Sequence, residues 1–82
     1  MAEKTQALPC EIVKRSVMIS GHASSVTLEA VFWQQLKALA QDSAISVNAL
    51  VSQIDAQNNG ACNLSSAIRV YILNTALGAN TA

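Results

Sequence analysis

His22-Ala23-Ser24-Ser25-Val26-Thr27-Leu28-Glu29 runs without a break into Ala30-Val31-Phe32-Trp33-Gln34-Gln35-Leu36. The first eight residues alternate, Val26 and Leu28 on one side and Ser25 and Thr27 on the other, as in a strand buried on one face. The next seven change period: Val31, Phe32 and Leu36, continued by Leu39, mark one stripe of a helix. A strand with a polar outer face therefore feeds an amphipathic helix near Glu29, whose carboxylate suits the positive end of a helix.

Upstream, Lys14 to Ser20 alternates in the same way, Val17 and Ile19 against Ser16, Met18 and Ser20. Gly21-His22 separates the two strand-like segments, because glycine admits backbone angles that other residues avoid. Periodicity allows a hairpin here or one long strand with a bulge. It also leaves open whether residues 14–20 pair with the second segment or lie against the helices. Residues 1–12 lack periodicity and contain Pro9, which predicts a flexible arm ahead of a domain over 13–82.

Downstream, the first helix is predicted to end near Gln41, with Asp42-Ser43-Ala44-Ile45 as a connection. Ser46 suits the N-cap of a second helix, where Val47, Leu50, Val51 and Ile54 follow the i, i+3, i+4, i+7 spacing of one apolar face. Asn58-Asn59-Gly60 ends it. Asn63 caps a third helix from Leu64 to about Leu77, stopped by Gly78. Leu64, Ala67, Ile68, Tyr71 and Ile72 form one stripe there, and Val70, Leu73 and Leu77 extend the apolar surface around the side. A helix so apolar is held between two layers. No internal repeat or low-complexity segment interrupts the pattern.

Eighty-two residues make one small domain, able to bury only about 60% of its surface. Yet 51% of the residues are hydrophobic and 12% charged, with a mean hydropathy of +0.31. Self-association supplies the missing interior, because a dimer interface acts as extra core. The formal net charge is zero, which excludes a strong non-specific polyanion binder; Lys14-Arg15 is the one adjacent basic pair. The start has no secretory leader pattern, and no apolar run approaches the roughly 20 residues of a membrane span. A cytoplasmic protein with reduced Cys10 and Cys62 is expected. One His and two distant Cys do not form a zinc set, no cofactor motif is present, and no nucleophile, carboxylate pair or glycine-rich loop points to catalysis.

The order strand, helix, capped helix resembles the ribbon-helix-helix DNA-binding superfamily, through Ser25-Val26-Thr27-Leu28-Glu29, Phe32-Trp33-Gln34-Gln35-Leu36 and Ile45-Ser46-Val47-Asn48-Ala49-Leu50-Val51. More narrowly, Lys14-Arg15-Ser16-Val17, Gly21-His22, Phe32-Trp33, Ile54-Asp55 and Asn63-Leu64-Ser65-Ser66-Ala67-Ile68-Arg69-Val70 look like a small bacterial branch with an added third helix. The resemblance covers roughly residues 14–77. It implies a mainly α fold with a short β ribbon, in a homodimer whose strands pair antiparallel across the two-fold axis. Such a ribbon enters the major groove, where outward side chains read base edges.

Carried over by position, Ser25 and Thr27 face the bases, with Ala23 next in parity. The second helix start at Ser46, Val47 and Asn48 holds a phosphate on free N–H groups, and Lys14 and Arg15 flank the ribbon as further phosphate contacts. In that branch an arginine stands between the histidine and the ribbon serines. Here Ala23 does, which removes the side chain best suited to guanine.

Each feature also has a plainer reading. Ser25 and Thr27 suit the solvated face of a half-buried strand, Lys14-Arg15 an ordinary surface pair, and Ser46 a helix cap. His22 is read as bracing the Gly21 bend or capping nearby backbone, Trp33 as core or subunit interface, and Arg69 as a surface or interface charge with Asp55 as candidate partner. Two functions compete: a homodimeric sequence-specific DNA-binding regulator of transcription, or a dimeric protein-interaction module on the same fold that does not read DNA.

Overall fold

The computed structural model describes residues 10–78. Strands β1 (Ile12–Ile19) and β2 (His22–Glu29) form an antiparallel two-stranded sheet, followed by helices α1 (Ala30–Asp42), α2 (Val47–Asn58) and α3 (Leu64–Leu77). The hairpin is thus chosen over the single bulged strand. Ile19 pairs with His22, and the register runs back to Ile12 opposite Glu29. Its two-residue turn, Ser20-Gly21, has positive φ at both positions, 51° and 82°. That is the turn whose twist matches a right-handed hairpin.

Register fixes the two faces. Val17, Ile19, Val26 and Leu28 are buried against the helices, and Lys14, Ser16, Met18, Ala23, Ser25 and Thr27 face outward and are exposed. Residues 14–19 therefore both pair with β2 and rest on the helices. The strand also starts earlier than the predicted domain boundary. The Ala30 N–H donates to the Glu11 carbonyl at 2.7 Å, so Glu11 and Ile12 belong to the hairpin. The rest of the expected arm, residues 1–9, lies outside the described residues.

The helix ends follow local chemistry. Glu29 is the extended residue before α1. Ser46 Oγ accepts the Ala49 N–H at 3.0 Å to open α2, and Asn63 Oδ1 accepts the Ser66 N–H at 2.9 Å to open α3. Asn59 and Gly78 take the left-handed conformation after α2 and α3. The stripe of α1 is rotated from the expected one: Trp33, Leu36 and Ala40 are buried, while Val31 and Phe32 are half-buried. Trp33 is drawn inward because its indole reaches beneath β1. Val26, Leu28, Leu36, Leu50, Val51 and Ile68 lose nearly all exposure, each contributing about 1.5–3 kcal/mol by burial.

The two edges of the hairpin differ. Along β1, Trp33 Nε1 donates to the Val13 carbonyl at 2.9 Å, the Met18 N–H donates to Asn48 Oδ1 at 3.3 Å, and Ser52 Oγ donates to the Met18 carbonyl at 3.4 Å. The outer edge of β1 is thus occupied by α2 at Met18, while Trp33 reaches the strand from beneath. Along β2, no third strand pairs, and among the described residues no bond from outside the hairpin reaches Ala23, Ser25 or Thr27. That edge is open.

Candidate nucleic-acid interface

The outward face of the hairpin places Lys14 opposite Thr27, Ser16 opposite Ser25, and Met18 opposite Ala23. The two residues expected to read bases, Ser25 and Thr27, are both exposed and share this face. Lys14 joins them from the neighbouring strand, which brings one cation beside two hydroxyls. Ile12 and Met18, 57% and 48% exposed, give the same face two apolar ends.

Arg15 does not join them. Strand alternation turns it to the opposite side, opposite Val26, where its guanidinium lies 5.6 Å from the centroid of the Trp33 ring. There it lines a cleft of about 370 Å³ with Ser16, Val17, Trp33, Lys37, Ser46, Val47 and Asn48. The cleft thus gathers Arg15 with all three residues expected at the second helix start. The N–H groups of Val47 and Asn48, in the first turn of α2, have no partner inside their own helix. Two cations and a helix N-terminus make the cleft attractive to an anion.

Lys37 is the member that sequence reasoning missed. Its signal was present: it lies one turn from Trp33 on α1. Knowing that Trp33 points toward β1 would have placed Lys37 beside Arg15. Asn48 has a second task, since its side chain holds β1 through Met18, and so couples the hairpin to α2.

At the other end of the hairpin, Arg69 Nε donates to Glu29 Oε1 at 3.1 Å, and its guanidinium lies 5.8 Å from the Phe32 ring centroid. The expected neighbourhood of Arg69 and Asp55 is corrected: α3 directs Arg69 toward the β2–α1 junction. The backbone hydrogen bond of Glu29, then the Arg69 hydrogen bond, hold the Glu29 carboxyl below the usual carboxylate range. Glu29 is therefore an engaged anion rather than one free to repel phosphate from the outward face. His22 is also corrected. It is exposed at the start of β2, and its side chain makes no hydrogen bond among the described residues, so it caps no nearby backbone; the bend is the Ser20-Gly21 turn closed by the Ile19–His22 pair. Among the described residues, no three His, Cys, Asp or Glu side chains gather as metal ligands, Cys10 and Cys62 are exposed free thiols, and no helix is long and apolar enough to cross a membrane.

No curated protein matches the chain. A solved structure, that of an uncharacterized protein from Bordetella pertussis Tohama I, is similar with a TM-score of 0.72 and 27% identity; the match covers 84% of this chain and 58% of that one. The chain therefore spans a little over half the length of that protein. The sequence pattern described as Ribbon-helix-helix domain matches residues 12–76, from the first residue of β1 to the last turn of α3. The chain belongs to the ribbon-helix-helix domain family.

Proposed function

We propose that this chain is a homodimeric, sequence-specific DNA-binding protein of the bacterial cytoplasm that regulates transcription without a cofactor. The observation that carries the reading is the unequal treatment of the hairpin edges: Asn48 and Ser52 of α2 occupy the outer edge of β1 at Met18, and among the described residues nothing bonds to the outer edge of β2. An open strand edge is a template for another strand, and β2 of a second copy completes it antiparallel. Strands lie about 4.8 Å apart and the major groove is about 12 Å wide. Only the central β2 pair of the resulting four strands enters it, bringing Ser25 and Thr27 to the base edges. The flanking β1 strands ride on the groove walls, where Lys14 meets phosphate. Farther out, the cleft of Arg15, Lys37, Ser46, Val47 and Asn48 takes a second phosphate on each side.

Selection from a random double-stranded DNA pool tests this. The wild-type chain enriches a two-fold symmetric site, and Ser25→Ala with Thr27→Ala flattens the preference while leaving weak binding. Absence of any enriched sequence contradicts the proposal. A second reading, a protein-interaction dimer, is favoured by Ala23, which offers no base-reading side chain, and by the exposure of Ile12 and Met18 on the outward face.

A further inference from the structure

Helix α3 carries two apolar faces. Ala67, Ile68 and Ile72 are buried, whereas Val70, Leu73 and Leu77 are 52%, 57% and 69% exposed. At 3.6 residues per turn these three fall within about 60° of one another and roughly opposite the buried arc. Their i, i+3, i+7 spacing is the seam by which one helix packs on another. The seam is bordered by Ser66 and Asn74, which are uncharged, and by Arg69, the one charged residue of α3, which is engaged by Glu29 of its own chain at 3.1 Å.

We infer that this stripe is a self-association surface on which α3 of a second copy lies antiparallel, Val70 facing Leu77 of that copy and Leu73 packing beside its counterpart. A neutral stripe selects neither an acidic nor a basic partner, but it is complementary to itself under a two-fold axis. The Arg69–Glu29 pair removes the like-charge repulsion that two arginines near that axis would create. Val70 also borders a groove of about 320 Å³ between α2 and α3, lined further by Ile54, Tyr71 and Asn74, which gives the opposing leucine a hollow to enter. The area needed points the same way, an argument that rests on the proposed β2 pairing. A paired edge of eight residues, about 26 Å long and about 4.8 Å wide, covers on the order of 100 Å², far short of the roughly 800 Å² per partner of a stable interface. Among the described residues, the α3 stripe groups three of the five exposed large hydrophobic side chains, Val70, Leu73 and Leu77, and so offers area to complete it.

Cysteine cross-linking separates the two contacts. In the full chain carrying Cys10→Ser and Cys62→Ser, the substitutions Leu73→Cys, Ser25→Cys and Gln35→Cys are made singly, the last as an exposed reference. Under mild oxidation Leu73→Cys forms a disulfide-linked pair at least ten times faster than Gln35→Cys. Adding Val70→Ser and Leu77→Ser returns it to the reference rate. Linking at Leu73→Cys no faster than the reference overturns the seam, as does fast linking that survives the two serines. Ser25→Cys reports the strand pairing separately. Fast linking there with the reference rate at Leu73→Cys keeps the ribbon and overturns the seam, and the reverse keeps the seam and removes the ribbon.

Discussion

Trp33 of α1 donates its Nε1–H to the carbonyl of Val13 in β1 at 2.9 Å, and Arg15 lies over the same indole, 5.6 Å from its centroid. One side chain thus ties α1 to β1 and holds a cation beside the start of α2. Strand alternation separates the adjacent basic residues, and the indole holds Arg15 on the side where alternation puts it. Lys14 is left on the outward face with Ser25 and Thr27, and Arg15 is committed to the cleft.

Replacing Trp33 by phenylalanine keeps an aromatic ring in the core but removes the donor and weakens the stacking of Arg15. Loss of about 1–3 kcal/mol is expected, read as a lower urea midpoint with an unchanged slope. An unchanged midpoint contradicts the role given to this bond.

The turn carries a correctable strain. Ser20 sits at φ 51° beside Gly21 at 82°, a turn that favours asparagine or glycine at its first position. Ser20→Asn is expected to raise stability by about 0.5–1 kcal/mol, whereas Gly21→Ala lowers it by more than about 1 kcal/mol. Thermal unfolding of the two variants beside the wild type checks the opposite signs.

Acid sensitivity follows from Glu29. Its carboxyl is held below the ordinary value of 4.5 in the folded chain. Folding therefore gains from the ionised form above about pH 4.5 and loses that gain as pH falls through the lower folded-state value. Arg69→Ala and Glu29→Gln are each expected to flatten the fall in thermal midpoint between pH 5 and pH 3. An acid profile identical to the wild type in both variants contradicts the pair.

Most of the architecture was legible in the sequence because its signals are local. The alternation of Val26 and Leu28 against Ser25 and Thr27, the caps at Ser46 and Asn63, and the stops at Asn59 and Gly78 each depend on a few neighbouring residues. What was illegible depended on contacts far apart in the chain. The Trp33–Val13 bond spans 20 residues and rotated the buried stripe of α1; the Arg69–Glu29 pair spans 40 and displaced the Asp55 alternative. Lys37 entered the candidate cleft by the same route, through the direction of Trp33. Strand parity alone would have parted Lys14 from Arg15, since neighbours on a strand face opposite sides.

The outward hairpin face as a DNA-contacting surface is tested most directly by titrating the protein against a labelled duplex at several salt concentrations, with Lys14→Ala beside the wild type. Each neutralised phosphate contributes about 0.9 to the slope of log affinity against log salt, so two copies of Lys14 contribute about 1.8. Binding is expected to weaken steeply with salt, with a Lys14→Ala slope shallower by about that amount. Binding that is absent, or whose salt slope is the same with and without Lys14, contradicts a DNA-contacting outward face.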